Sequence, residues 1–469
     1  MTTNPAGHDE PAESDGELTT DVVVIGSGAS GSGAALAAVR AGAKVTVLEK
    51  REVNGGSASY SAGGFWTFRA YEIFRRLAPE GDPAMQRKLF DGYPDAVRFL
   101  RSTGISVADE PNITQVGNGI SHKIEIQDLL DHALQAVRDS GGGVLFQHAA
   151  KQLIFDGRTV TGVIAVRPDG TRLRVNADAV VLASGGFQGS PELRARFLGS
   201  EYDRLLIRSN PGSVGDGFRM ATGVGASGSG GLSGFYGHLL AHPAAVFTPE
   251  HFRPLTQYHS AESILVNRLG DRVMDETIGD AVLAQAISRQ PGASGVIVFD
   301  QHVRETTGTA EPAPGVGRVD RFAYARGHGA RVAEADSLAS LLDEVASWGV
   351  ERERLERTVN AYSTAVADKK PFAAGVPVSP RARAPQTAPF YAVEVRAGIT
   401  FTFGGIKVSP DGAVLDHDGS PVHGLYAGGA DVGGISGGGY AGGLAPCFIT
   451  GMWAGGSAAA RAGHAQAIV

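Results

Sequence analysis

The sequence predicts an α/β chain: a Rossmann-like dinucleotide-binding domain interrupted by an inserted domain. Three observations carry this. An apolar run at residues 22–25 leads directly into Gly26, Gly28 and Gly31, in G-x-G-x-x-G spacing. An Ala-rich helical stretch and a second apolar run, Val45 to Leu48, complete a β-α-β unit. Glycine-rich strands and turns then return near the C-terminus, after a middle stretch of different texture.

The glycines of the first unit have separate tasks. One makes a tight turn, one lets backbone approach a pyrophosphate, and one allows close helix–strand packing. The helix that follows offers free N–H groups and the positive end of its dipole to phosphates. Glu49 closes the second strand, where a carboxylate accepts hydrogen bonds from ribose hydroxyls.

Composition narrows the function. The 469 residues suffice for two or three domains, and 42% are hydrophobic, as in a globular protein. The 66 glycines cluster at turns without a fixed period, which excludes a collagen-like chain. A net charge of −7 argues against a nucleic-acid partner. The single cysteine, Cys447, excludes an intrachain disulfide and a Cys-rich metal site, and it reads as a small buried hydrophobe. Residues 1–18 are polar and acidic without a basic n-region, so they read as a disordered leader. No apolar stretch is long enough to span a membrane. The cytoplasm is the expected compartment.

Along the chain, the first unit is followed by a Gly–Ser loop, Gly55-Gly56-Ser57 through Ser61-Ala62-Gly63-Gly64. Helical patterns cover Met85–Thr103 and Ile126–Asp139. Strands are expected at Gly143–His148 and Lys151–Phe155, then a hairpin of Thr159–Arg167 and Thr171–Val175, then a separate buried strand over Asp178–Gly186. Gly215-Asp216-Gly217 opens a helix. The middle stretch has more aromatics, His and Arg, with helices at Ser337–Trp348 and Arg352–Ala367. Four prolines between Pro371 and Pro385 mark its exit, and further strands are expected at Tyr391–Val395, Gly404–Val408 and Gly424–Tyr426. The expected domains are 19–235 and 376–469 for nucleotide binding and 236–375 for the insertion.

With these segments in place, the chain resembles the flavoprotein family of fumarate reductase and succinate dehydrogenase. That family also holds 3-ketosteroid and tricarballylate dehydrogenases. GSGASG…LEK, GGSASYSAGG, VVLASGGF, VGDGFRMA and ILVNRLGDRVMDET each resemble a family segment, as does the C-terminal AGITFTFGG…GLYAGGADVGG. The resemblance implies a glutathione-reductase-type FAD domain with an α+β capping domain, and FAD bound without a covalent link. It assigns FAD contacts to Gly26, Gly28, Ala29, Ser30, Gly31, Glu49, Lys50, Gly55, Gly56, Ser57, Ser61, Ala62, Gly63 and Gly64. Ala150, Ala183, Ser184, Gly185, Asp216, Gly429, Ala430, Asp431, Leu444 and Ala445 complete the set. It also implies that the run Gly437 to Gly443 lets backbone approach the flavin ring.

The chain departs from the family where fumarate is held. The acid arginine's place is taken by Gly279, the substrate histidine's by Phe401 and the clamp arginine's by Tyr440, while His242 keeps the histidine of an A-H-P stretch. Without bidentate guanidinium groups a dicarboxylate loses its clamp. The departures imply a less charged, carbonyl-activated substrate, such as a 3-ketosteroid-like ketone. Tyr440 resembles the tyrosine that polarises the ketone in 3-ketosteroid dehydrogenases. Tyr236, His238, Tyr258 and His242 are the other catalytic candidates. Against them stand readings as core or structural residues. Phe401 and Phe403 supply apolar surface, His259 is expected at the surface, and Arg321, Arg326 and Arg331 are expected to be solvated. The expected activity is CH–CH dehydrogenation. Alkene reduction and a flavin-binding electron carrier are the alternatives. The partners are a small-molecule substrate and an electron donor or acceptor, with no second nucleotide fingerprint to support NAD(P)H.

Overall fold

The computed structural model describes residues 14–114, 118–243, 248–311 and 317–465. The chain forms two compact units. The first joins Met1–Gly189, Gly212–Leu232 and Thr402–Val469, and the second joins Ser190–Pro211 and Ser233–Phe401.

The first unit is built on a central sheet. Gly16–Ile25 lies between Val45–Leu48 and Arg172–Leu182, parallel to both. Gly143–Leu145 extends the sheet on one side and Pro421–Ala427 on the other, again parallel. Val22, Val23 and Val24 are fully buried, as a strand covered on both faces requires. A meander, Ala149–Phe155 to Val160–Val166 to Arg172–Leu182, is antiparallel.

Two helices pack together against this sheet, Ala29–Arg40 and Leu444–Arg461. Their approach is set by small residues. A Cβ on Gly33 would lie 2.3 Å from Phe448 O, one on Gly451 2.1 Å from Ser30 O, and one on Gly455 2.1 Å from Ala34 O. The helices expected near 85–103 and 126–139 form as Pro83–Ser102 and Ile126–Asp139. Asp82 caps the former by accepting from Ala84 N and Met85 N.

Three expectations need correction. Residues 16–18 are strand rather than leader, because Gly16 pairs with Leu173 and Leu18 with Val175; residues 1–13 lie outside the described residues. The strands expected at 171–175 and 178–186 are one, Arg172–Leu182. It pairs with Gly16–Ile25 from Leu173 to Leu182, so the polar Arg174 and Asn176 belong to the same ladder as the apolar Val180–Leu182. Gly404–Val408 makes only isolated bridges, Ile406 with Gly228 and Val432, and Val408 with Val414. Gly404 and Gly405 abut the backbone of Leu232 and Asp431, which leaves no room for a regular ladder of side chains.

The second unit centres on a long strand, Phe390–Thr402. Ser294–Asp300 and Val332–Ala335 pair with it antiparallel, and Ile264–Asn267 pairs with Ser294–Asp300. Phe235–Ala241 also joins the long strand. The helices Leu338–Ser347 and Arg352–Ala367 cover an apolar layer that includes Val296, Val298, Leu341, Val345 and Tyr362. Arg272 and Glu276 form a buried ion pair at 2.6 Å, and Asp275 caps the short turn Glu276–Ile278.

Candidate functional site

In the first unit the predicted cofactor residues come from eight separate segments, and several are tied by close contacts. Gly26 has φ of 105°, and a Cβ there would lie 2.4 Å from Ala183 O. That makes it the tight turn against the neighbouring strand end. Gly31 is the packing glycine, since its Cβ would meet Gly26 O at 1.9 Å. Gly28 is the open one: its Cβ would meet only Gly55 O, at 3.6 Å. Gly28 also caps the Ala29–Arg40 helix without a side-chain hydrogen bond, so the first-turn N–H groups of Ala29, Ser30 and Gly31 face outward along the axis.

Around this turn the other segments close in. Gly429 approaches Ser30, its Cβ position 2.6 Å from Ser30 Cβ. Asp431 accepts from Ser184 N, from Ser184 Oγ at 3.1 Å and from Gly185 N at 3.1 Å. Burial pushes the Asp431 carboxyl up to about 7. Glu49 accepts from Ser27 N at 3.1 Å, Ser27 Oγ at 2.7 Å and Arg51 N at 2.9 Å. Lys50 Nζ donates to Asp216 at 2.5 Å and to Gly212 O. Gly55 leads into the short turn Gly56–Tyr60, which holds Ser57; Ser61, Ala62 and Gly63 lead into strand Gly64–Phe68. Ala150 is a buried position of strand Ala149–Phe155, Ala430 lies in the turn Gly429–Asp431, and Leu444 and Ala445 form the first turn of the C-terminal helix.

The residues fit a dinucleotide. The Ser30 Oγ is buried without a hydrogen bond, at a helix N-terminus with no side-chain cap. An anion supplies the missing acceptors for such N–H groups. A carboxylate has about four acceptor positions, so Glu49 keeps capacity for a hydroxyl beside its protein partners.

Tyr440 is half-buried and packs on Trp66, with ring centroids 5.5 Å apart. The glycines before it are required by the protein itself. Cβ atoms on Gly437 and Gly439 would lie 2.9 Å from Glu80 and 1.8 Å from Leu77 O.

In the second unit Tyr236, His238 and Tyr258 come together. The His238 Nε2 lies 2.7 Å from the Tyr236 hydroxyl, and its Nδ1 is hydrogen-bonded to Asp280. The Tyr258 ring stands edge-on to His238 at 5.3 Å, and Tyr236 packs on Phe401 at 5.4 Å. Burial holds the His238 imidazolium below its ordinary range, against the pull of the Asp280 charge. Arg208, 1% exposed, donates to Tyr258 Oη, Thr256 Oγ1, Thr400 Oγ1 and Phe252 O.

His242 is not part of this cluster. It follows the same strand's end, six residues or about 20 Å of extended chain from Tyr236. Burial and the nearby Arg396, Arg331 and Arg268 push it down to about 4.

Two expectations about charged residues are overturned. His259 is 1% exposed, edge-on to Phe299 at 4.6 Å, with neither ring nitrogen hydrogen-bonded. Arg321 is 1% exposed and donates to the carbonyls of Thr307, Gly308 and Ala310. His259 lies in the turn Tyr258–Glu262 and Arg321 opens the helix Arg321–Gly327, and tertiary packing, which local polarity does not report, buries both.

The model of the FAD binding domain family matches residues 21–444. The chain belongs to this flavoprotein family. It is 29% identical to the fumarate reductase (cytochrome) of Shewanella frigidimarina, over 91% of this chain and 74% of that protein. It is 27% identical to the NADH:fumarate oxidoreductase of Klebsiella pneumoniae (strain 342), over 94% of this chain and 48% of that protein, so it spans about half that relative's length. The fold matches a solved 3-ketosteroid delta1-dehydrogenase from Sterolibacterium denitrificans, with TM-score 0.75 and 18% identity, covering 94% of this chain and 99% of that one.

The flavoprotein thus binds FAD through a domain whose fingerprint was readable. Among the described residues no helix is long and apolar enough to cross a membrane, and no group of three or more metal-ligating side chains occurs. Sequence reasoning missed Arg208 and Asp280. Nothing marks Arg208 apart from a solvated arginine. Asp280 carried a weak signal, since it stands beside Gly279, at the place where the family keeps its acid.

Proposed function

We propose that this flavoprotein is an oxidoreductase of CH–CH bonds, acting on a carbonyl-activated and largely apolar small molecule. The observation that carries the reading is Phe401 packed on Tyr236. The resemblance puts the apolar ring of Phe401 in the place of the substrate histidine and the phenol of Tyr440 in that of the clamp arginine. When bound, FAD supplies hydride exchange at its N5.

The chain's own groups do the rest. The Gly26–Gly31 turn and the N-terminus of the Ala29–Arg40 helix hold the pyrophosphate, and Glu49 holds a ribose hydroxyl. The remaining predicted contacts, from Lys50 to Ala445, line the FAD without a covalent link. Tyr440 donates a hydrogen bond to the substrate carbonyl oxygen, where negative charge grows in the transition state. Tyr236, His238, Tyr258 and His242 are the candidates for exchanging the α-proton. The first domain limit is proposed near 235/236, the second moves from 375/376 to the end of the strand Phe390–Thr402, and the cytoplasm is the proposed compartment. The partner is a separate electron donor or acceptor. Reduction of the alkene uses the same atoms in reverse, and the names of the two fumarate-reducing relatives favour that direction.

The test starts from protein purified with its flavin. Acid precipitation should release the flavin into solution, as a non-covalent cofactor does. The dithionite-reduced protein is then mixed anaerobically with fumarate, cyclohex-2-enone or androst-4-ene-3,17-dione. Faster flavin reoxidation by either ketone than by fumarate supports the reading. Reoxidation by ferricyanide alone, with all three compounds inert, points instead to an electron carrier.

A further inference from the structure

We infer that Gln86, braced by Arg75, is the positioning residue that fixes the loop carrying Tyr440. The inference rests on the reading that Tyr440 donates to the substrate carbonyl. Tyr440 follows three glycines in a row, Gly437 to Gly439, in a stretch without helix or strand. Such a run has no side chains to anchor it, and its backbone has the widest freedom of any residue type. A phenol at its end keeps one position only if the backbone is tied from outside.

The ties are present. The carbonyls of Gly434, Ile435 and Gly437 accept from Asp82 N at 2.7 Å, Gln86 Nε2 at 2.8 Å and Glu80 N at 3.2 Å. Ser436 Oγ accepts from Ala441 N at 3.2 Å, which draws the two ends of the loop together around Tyr440. Two of the three outer donors are backbone groups, so Gln86 is the one side chain among them.

Gln86 belongs to helix Pro83–Ser102 and is fully buried. Its orientation follows from its partners. Carbonyl oxygens only accept, so the amide end facing Ile435 O and Ala78 O, at 2.8 and 2.9 Å, is the NH2. A guanidinium only donates, so the end facing Arg75 is Oε1. Arg75, on helix Tyr71–Leu77, also donates to Gly81 O at 2.7 Å and to Pro79 O at 2.9 Å. Gly81 makes the approach possible: a Cβ there would lie 2.1 Å from Gln86 Nε2 and 2.5 Å from Ile435 O. Burying an amide is costly unless its hydrogen bonds are made, and here both amide hydrogens and the oxygen are engaged. A satisfied buried amide is rigid, and it holds the loop to the same standard.

Because Gln86 is buried, it acts only through the loop. Without its donor the Ile435 carbonyl loses its partner and the loop drifts towards water. A displacement of about 1 Å in a group aligned with a reacting centre costs about 100-fold in rate.

The experiment is anaerobic stopped-flow of the dithionite-reduced flavoprotein against cyclohex-2-enone and, separately, ferricyanide. The proteins are the parent, Gln86→Leu, Tyr440→Phe and the double variant. Gln86→Leu should lower the enone rate by about 10- to 100-fold and leave the ferricyanide rate unchanged. In the Tyr440→Phe background it should do nothing further, because the place of a ring without its hydroxyl no longer matters. A purely structural role predicts the opposite: losses that multiply and a ferricyanide rate that falls as well. Arg75→Met, at a half-buried residue, loosens only the Oε1 end. It should give a smaller loss of the same kind, which Arg75→Lys restores, and it decides the matter if Gln86→Leu does not fold. Parental enone rates in every folded variant of Gln86 and Arg75, or multiplied losses in the double variant, overturn the inference alone. An enone inert towards the parent, or a parental rate for Tyr440→Phe, overturns the reading of Tyr440 and the inference with it.

Discussion

The two units of this flavoprotein carry their chemistry in opposite ways. The first is proposed to hold its ligand with backbone: helix N–H groups, a left-handed Gly26 and an open Gly28. The second gathers side chains from distant places, Arg208, Tyr236, His238, Tyr258 and Asp280. A backbone site needs glycines at fixed spacing, so it leaves a local signature. A side-chain site needs only that several strands converge, and that is a property of topology.

The comparison can be broken first in the second unit. Arg272 and Glu276 are paired with almost no solvent contact. Glu276→Ala leaves a buried guanidinium uncompensated and should cost about 3–5 kcal/mol. Urea unfolding monitored by the second unit's tryptophan, Trp348, measures it; a loss under 1 kcal/mol would show that the pair is dispensable.

A second break separates chemistry from packing at Tyr440. Tyr440→Phe keeps the ring on Trp66 and removes the donor. The rate of flavin reduction or reoxidation by a turned-over ketone should fall roughly 100- to 1000-fold, with FAD affinity unchanged. Near-parental rates would return Tyr440 to a packing role, which its close-packed glycine neighbours already favour in part.

Smaller effects sharpen the backbone side. Gly31→Ala drives a Cβ into Gly26 O and should cost about 1–3 kcal/mol. Glu49→Ala should weaken FAD binding by roughly 1–3 kcal/mol, seen by fluorescence titration of the apoprotein. It also unpairs Ser27, so a stability loss should accompany it.

The smallest effect is a pH dependence in the second unit. Burial, reinforced by Arg321, pushes His259 down to about 3. A lowered histidine gives stability that is full above the unfolded value near 6.5 and is lost as pH falls towards 3. His259→Phe should unfold at a urea midpoint less sensitive to acid between pH 6.5 and 4.5, by about 1–2 kcal/mol. Equal acid sensitivity in both proteins would mean that His259 is hydrated.

What could be read in the sequence follows the same divide. The first β-α-β unit and the helices at 126–139 and 352–367 were legible because their rules are local. The merged strand Arg172–Leu182 was not, because Asn176 and Asp178 look like a break, whereas the strand runs on through both beside Gly16–Ile25. In the second unit His259 and Arg321 read as surface residues, although tertiary packing buries both. Tyr236 and His238 could be named as candidates, but their link to Asp280, 42 positions on, needed the fold.

The central claim is that this site suits a carbonyl compound of low charge. Stopped-flow absorbance of the dithionite-reduced flavin, mixed without oxygen against cyclohex-2-enone or fumarate at equal concentration, tests it most directly. The account predicts oxidation by the enone and negligible oxidation by fumarate. Fumarate turnover in the ordinary enzyme range of about 1–1000 per second, with the enone inert, would contradict it.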